Sequence, residues 1–172
     1  PEPVLWAGRI GGLPVLVPDD PDNHADDGGR LEWANEGRHL TYYCAALRPG
    51  TPVSIISHSH GGNLAAIAIA RGDLMIRHLI TVSTPVRKDM EPYYREARRR
   101  IDAGQGHWIH TYGDWWRDIW LKVGELGDGR IGWHSRMPWA HTNLHARGAG
   151  HSDVIRDPSW FDRLGLWEVL SA

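Results

Sequence analysis

Apolar positions along the chain fall into short β-branched runs separated by longer segments with helical spacing. Residues 4–8 and 13–17 read as two short strands, and 18–30, rich in Asp, Gly and Pro, reads as a surface loop. Leu31, Ala34, Leu40, Tyr43 and Leu47 make one apolar face of a helix over 31–47, which Arg48, Pro49 and Gly50 stop. Val53, Ile55 and Ile56 then supply a strand that begins at Thr51, and Leu64 to Ala70 is a strong, apolar helix former. Beyond a break at Arg71, Gly72 and Asp73, strands are predicted at 78–83 and 107–112, with a charged amphipathic helix at 88–103 between them. Residues 124–138 are dense in Gly and polar residues and read as irregular, and 142–146 is a short last strand. A closing helix at 158–170 has Trp160, Phe161, Leu164, Leu166 and Trp167 as its apolar set. Strands alternating with helices of this length predict an α/β fold, a mostly parallel central sheet flanked by helices. No linker or repeat divides the chain, so 1–172 is expected to be a single domain.

Composition narrows the function classes. The chain has 172 residues and a net charge of −2, which gives no footprint for nucleic acid or an anionic membrane. Its one basic cluster, Arg95 to Arg100, sits on a helical segment and reads as a solvated face. A single cysteine, Cys44, excludes an intrachain disulfide, and its neighbours place it on a buried helix face. No run is long and apolar enough for a membrane span, and the Pro1-Glu2-Pro3 start lacks the features of a signal peptide. A cytoplasmic location is the resulting expectation.

The chemistry concentrates at Ser57-His58-Ser59-His60-Gly61-Gly62-Asn63, where a predicted strand turns sharply into a predicted helix. Such a bend projects a serine hydroxyl above the sheet edge, within reach of a base, and needs small neighbours, which Gly61 and Gly62 provide. Ser59 is the only serine followed by glycine two positions later, although Ser57 stands where a first glycine would complete G-x-S-x-G. His58 and His60 allow another reading, as metal ligands on one strand face, but Gly-Gly-Asn follows where zinc hydrolases continue with an acid and a further histidine. In open α/β sheets functional groups gather at the carboxyl ends of strands. Ser59, Asp114, Asp118 and His151 all fall just after predicted strands. A serine needs an imidazole to take its proton, and the imidazole a carboxylate to hold its tautomer; Ser59, an aspartate and His151 occur in that chain order.

The stretch 57–63 resembles the elbow of bacterial lipases and esterases, and 143–152 resembles the final strand and histidine loop of the small, lidless lipases of the α/β-hydrolase superfamily. The resemblance covers roughly residues 51 to 160. It implies a compact α/β-hydrolase fold with no cap domain and a carboxylesterase or lipase-like activity on small-molecule esters of short or medium acyl length. It implies Ser59 as nucleophile and His151 as base, with Asp118 preferred as acid over Asp114 because apolar residues follow it. The oxyanion hole would use the His60 N–H and a second donor near Arg9, with the Asp19-Asp20 loop as fallback; the His-Gly pair that usually marks that loop is missing. Trp115 and Trp116, with Trp120, Trp133 and Trp139, would wall an acyl pocket. No cofactor is expected. Two rival readings are a non-catalytic α/β-hydrolase-like binding protein and a metal-dependent hydrolase using His58 and His60.

Overall fold

The computed structural model describes residues 52–72, 74–88, 90–114, 117 and 136–171. The elements predicted at 4–8, 13–17 and 31–47 lie outside them, as does Cys44. Four strands form one sheet in chain order, β1 (Val53–His58), β2 (Ile76–Val82), β3 (His107–Tyr112) and β4 (Thr142–His145), and all three pairings are parallel. Helices α1 (Gly61–Arg71) and α2 (Glu91–Ala103) connect the first three strands. After β4 come three short helices, α3 (Asp153–Arg156), α4 (Ser159–Arg163) and α5 (Leu166–Ser171).

The pleat divides the core in two. Leu79 and Trp108 face α1 and α2, where Ile67, Ile69, Tyr94, Ala97 and Ile101 complete one cluster. Ile80, Val82 and Ile109 face the other way, against Val154, Phe161 and Leu166 of the closing helices. Helix α1 is buried from Gly62 to Ala70, and its alanines let it lie flat against both the sheet and α2. Helix α2 buries only Tyr94, Ala97 and Ile101, one narrow stripe. On its exposed side Arg95, Arg98, Arg99 and Arg100 pair with Glu91, Glu96 and Asp102 of the same helix, so the basic cluster is a face of internal ion pairs. Among the described residues, no helix is long and apolar enough to cross a membrane.

Three boundaries differ from the sequence expectation. Strand β2 starts at Ile76 because the register shifts between Val53 and Ser54, which lets exposed Arg77 be accommodated beside the partner strand. Helix α2 starts at Glu91, with proline in its first turn. The closing helix is two helices: Gly165 takes φ +66°, and its N–H bonds to the Asp162 carbonyl and ends α4.

At the amino end of the sheet, His107 stacks on His141 with ring centroids 4.5 Å apart, and His141 donates from Nε2 to Asp102 (2.7 Å). Burial pushes His107 below the ordinary histidine value, helped by His141, His78 and Arg98; burial and then Arg77 do the same for His78. A depressed histidine binds its proton less readily folded than unfolded, so stability is complete above about pH 6.5 and falls as pH drops through the window beneath it. The urea midpoint should therefore decline as pH falls from about 6.5 to about 5.5, before most carboxylates titrate. A His78→Gln/His107→Gln double variant should show a flatter decline. A midpoint independent of pH in that interval would contradict this assignment.

Candidate active site

Strand β1 ends at His58, and Ser59 takes φ +55°, a region that residues with a Cβ seldom occupy. The Ser59 N–H donates to the Val82 carbonyl (2.9 Å), and the Gly62 N–H donates to the Ser59 carbonyl (3.1 Å), so the turn is tied to β2 and to α1. Ser83, the residue after β2, also has a positive φ, +48°. His58 pairs with Val82, so these two strained serines stand side by side at the ends of neighbouring strands. A Cβ on Gly62 would overlap the Thr84 side chain, whereas a Cβ on Gly61 would lie 3.9 Å from the Ser57 Cβ. Ser57 is thus accommodated where glycine was expected, since even a Cβ at position 61 would meet it only at ordinary van der Waals distance.

A buried network fixes the start of α1. Tyr94 Oη donates to Asn63 Oδ1 (2.6 Å), Asn63 Nδ2 donates to the Pro85 carbonyl (3.4 Å), and the Arg87 N–H donates to Tyr94 Oη (3.2 Å). This holds the segment after β2 against the elbow. His60 occupies the N-cap of α1, where the first-turn amides and the helix dipole favour negative charge. Its ring is held below the ordinary histidine value, first by burial, then by the charges of Arg87 and His151.

His151 reaches this corner from the far side of the sheet. Strand β4 is three strands from β1, about 14 Å at the usual spacing, so the segment after β4 must double back across the strand ends. It does so over β3. Ala146 N–H donates to the Tyr112 carbonyl (2.8 Å) and Asp114 N–H to the Ala149 carbonyl (2.9 Å). A Cβ on Gly113 would collide with that Ala149 carbonyl. Gly148 turns the chain at φ +88°, its N–H donates to Asp114 Oδ2 (2.9 Å), and Arg117 donates to its carbonyl. Gly150 N–H donates to Asp153 Oδ2 (2.7 Å), so Asp153 fastens the loop as a turn residue. The path ends with His151 against β1: His58 Nε2 lies 2.9 Å from the His151 carbonyl oxygen, and the two rings are 4.8 Å apart. His58, the residue before Ser59, therefore meets His151 by direct contact.

Other expected site residues fall differently. Asp114, the alternative acid, accepts on Oδ1 from His145 Nε2 (2.8 Å) and on Oδ2 from the Gly148 N–H, so its carboxylate braces the loop. Asp118, Arg9, Trp115 and Trp116 lie outside the described residues, as do Trp120, Trp133 and the Asp19-Asp20 fallback. Trp139 packs on Tyr94 with centroids 4.9 Å apart, as part of the core beside α2. His58 and His60 do not share a strand face, because β1 ends at His58 and the chain reverses at Ser59. Among the described residues, no group of three His, Cys, Asp or Glu side chains is arranged to hold a metal ion. Sequence reasoning offered His58 only as a metal ligand; its position directly before the strained serine was the signal that it could touch the histidine loop.

The fold and this corner define an α/β protein with a parallel sheet, a strained serine at a strand–helix turn, and a histidine loop seated on the residue before that serine. No family model matches the sequence, and no curated protein matches it. Among solved structures, the chain is similar to MGS-MChE2, an alpha/beta hydrolase enzyme from the metagenome of sediments from the lagoon of Mar Chica, Morocco. The identity is 16% and the TM-score 0.49, over 78% of this chain and 68% of that one. It is also similar to the siderophore hydrolase EstA from Aspergillus nidulans, at 15% identity and a TM-score of 0.43. That match covers 84% of this chain and 59% of the other, so this chain spans less than two thirds of that protein's length.

Proposed function

We propose that the protein is a serine hydrolase of the α/β-hydrolase superfamily that cleaves carboxylic esters of short or medium acyl length. The observation that carries this reading is the strained Ser59 at the strand–helix turn, with His151 delivered against His58, the residue before it. Ser59 Oγ attacks the ester carbonyl while His151 takes its proton, and the tetrahedral oxyanion is held by the His60 N–H at the start of α1. Collapse expels the alcohol, which leaves with the proton from His151. Water then attacks the acyl-enzyme through the same imidazole and releases the acid. Asp118 holds the tautomer of His151 and stabilises its cation. Asp114 already accepts from His145 and from the Gly148 N–H at the loop, which favours Asp118 for this role.

A fluorophosphonate probe should add once to the folded protein, with the adduct on Ser59 by peptide mass spectrometry, and should block hydrolysis of p-nitrophenyl acetate and butyrate. A folded protein that neither takes up the probe nor turns over either ester would refute the proposal and favour a binding role.

A further inference from the structure

We infer that His58 is a positioning residue for the catalytic base: its ring N–H, presented by the last residue of β1, holds the His151 loop against the nucleophile. The inference rests on the role proposed above for Ser59 and His151.

A carbonyl oxygen can only accept a hydrogen bond, so the 2.9 Å contact fixes His58 Nε2 as the protonated nitrogen. The bond joins residues 93 positions apart. It runs from the strand that carries Ser59 to the backbone of the base itself. The anchors at Gly113, Asp114 and Asp153 fasten the loop over β3 and to α3, away from the elbow. His58 supplies a contact that bridges the span to β1, and its ring lies beside the His151 ring at a 58° tilt. This bond governs where the imidazole stands relative to the Ser59 hydroxyl. A shift of about 1 Å in such a relation is enough to lower turnover about 100-fold.

The test separates the donor from the ring. His58→Gln keeps an N–H at similar reach without the ring, and His58→Phe keeps a ring without the N–H. His58→Gln should keep kcat for p-nitrophenyl butyrate within about 3-fold, while His58→Phe should lose about 30- to 100-fold in kcat with KM within about 3-fold. Both should melt cooperatively. If His58→Phe retains kcat within about 3-fold, or if His58→Gln falls as far as His58→Phe, the inference is overturned. Imidazole ¹⁵N–¹H spectra give a readout independent of turnover. The His151 ring resonances should move in His58→Phe and return toward wild type in His58→Gln, whether or not the wild type reacts with a phosphonate. An inert wild type would remove the hydrolase reading alone; His151 resonances indifferent to His58→Phe would remove the positioning role.

Discussion

Ser59→Gly should yield a protein that is more stable than the parent and catalytically dead. On the proposed role of Ser59 this removes the nucleophile, so ester turnover is expected to fall by at least about 10⁴-fold. Ser59 sits at φ +55°, where a side chain is strained and glycine is not. Relief of that strain should add about 1 kcal/mol to unfolding stability. Ser59→Ala supplies the comparison: it should be equally inactive but keep the strain, with a denaturation midpoint close to wild type. Urea titrations alongside p-nitrophenyl butyrate kinetics measure both effects. An active Ser59→Gly protein would refute the nucleophile assignment. A dead but destabilised one would show that the turn geometry is not what holds stability down.

Gly113→Ala should damage the same site from the opposite side. The added carbon would meet the Ala149 carbonyl oxygen, which is backbone already bonded to the Asp114 N–H. No flexible side chain can give way there, so the loop carrying His151 must lift from the end of β3. Overpacking of this kind costs about 1–3 kcal/mol, and turnover should fall about 100-fold with the displaced base. Gly61→Ala is the control, because its carbon would meet only ordinary van der Waals distance at Ser57. Chemical denaturation and kcat for both variants decide the matter, and a Gly113→Ala protein with wild-type kcat would show that the loop's seat on β3 does not set the base.

Much of the sheet was legible because its strands are short β-branched runs bounded by Gly, Pro and charge. The 78–83, 107–112 and 142–146 strands and the helix after Ser59 all appear within a few residues of their expected limits. What escaped had a physical reason in each case. Arg77 hid the start of β2, because a charge in an otherwise apolar run masks the strand pattern, and here it falls exposed at the register shift. Gly165 was covered by apolar spacing on both sides, and periodicity alone does not reveal a left-handed residue. In the site, Ser59 and the loop of His151 were readable from local patterns. The roles of His58, Asp114 and Gly113 depend on how one loop crosses the strand ends, which sequence spacing does not encode.

The chain-order sheet has a temporal consequence during synthesis. Each new strand emerges beside the edge left by the one before, so the described ladder can lengthen as translation proceeds. The bond between residues 58 and 151 cannot form until the closing segment has left the ribosome. A nascent chain can thus lay down β1 to β3 while the segment that seats His151 against β1 is still to come.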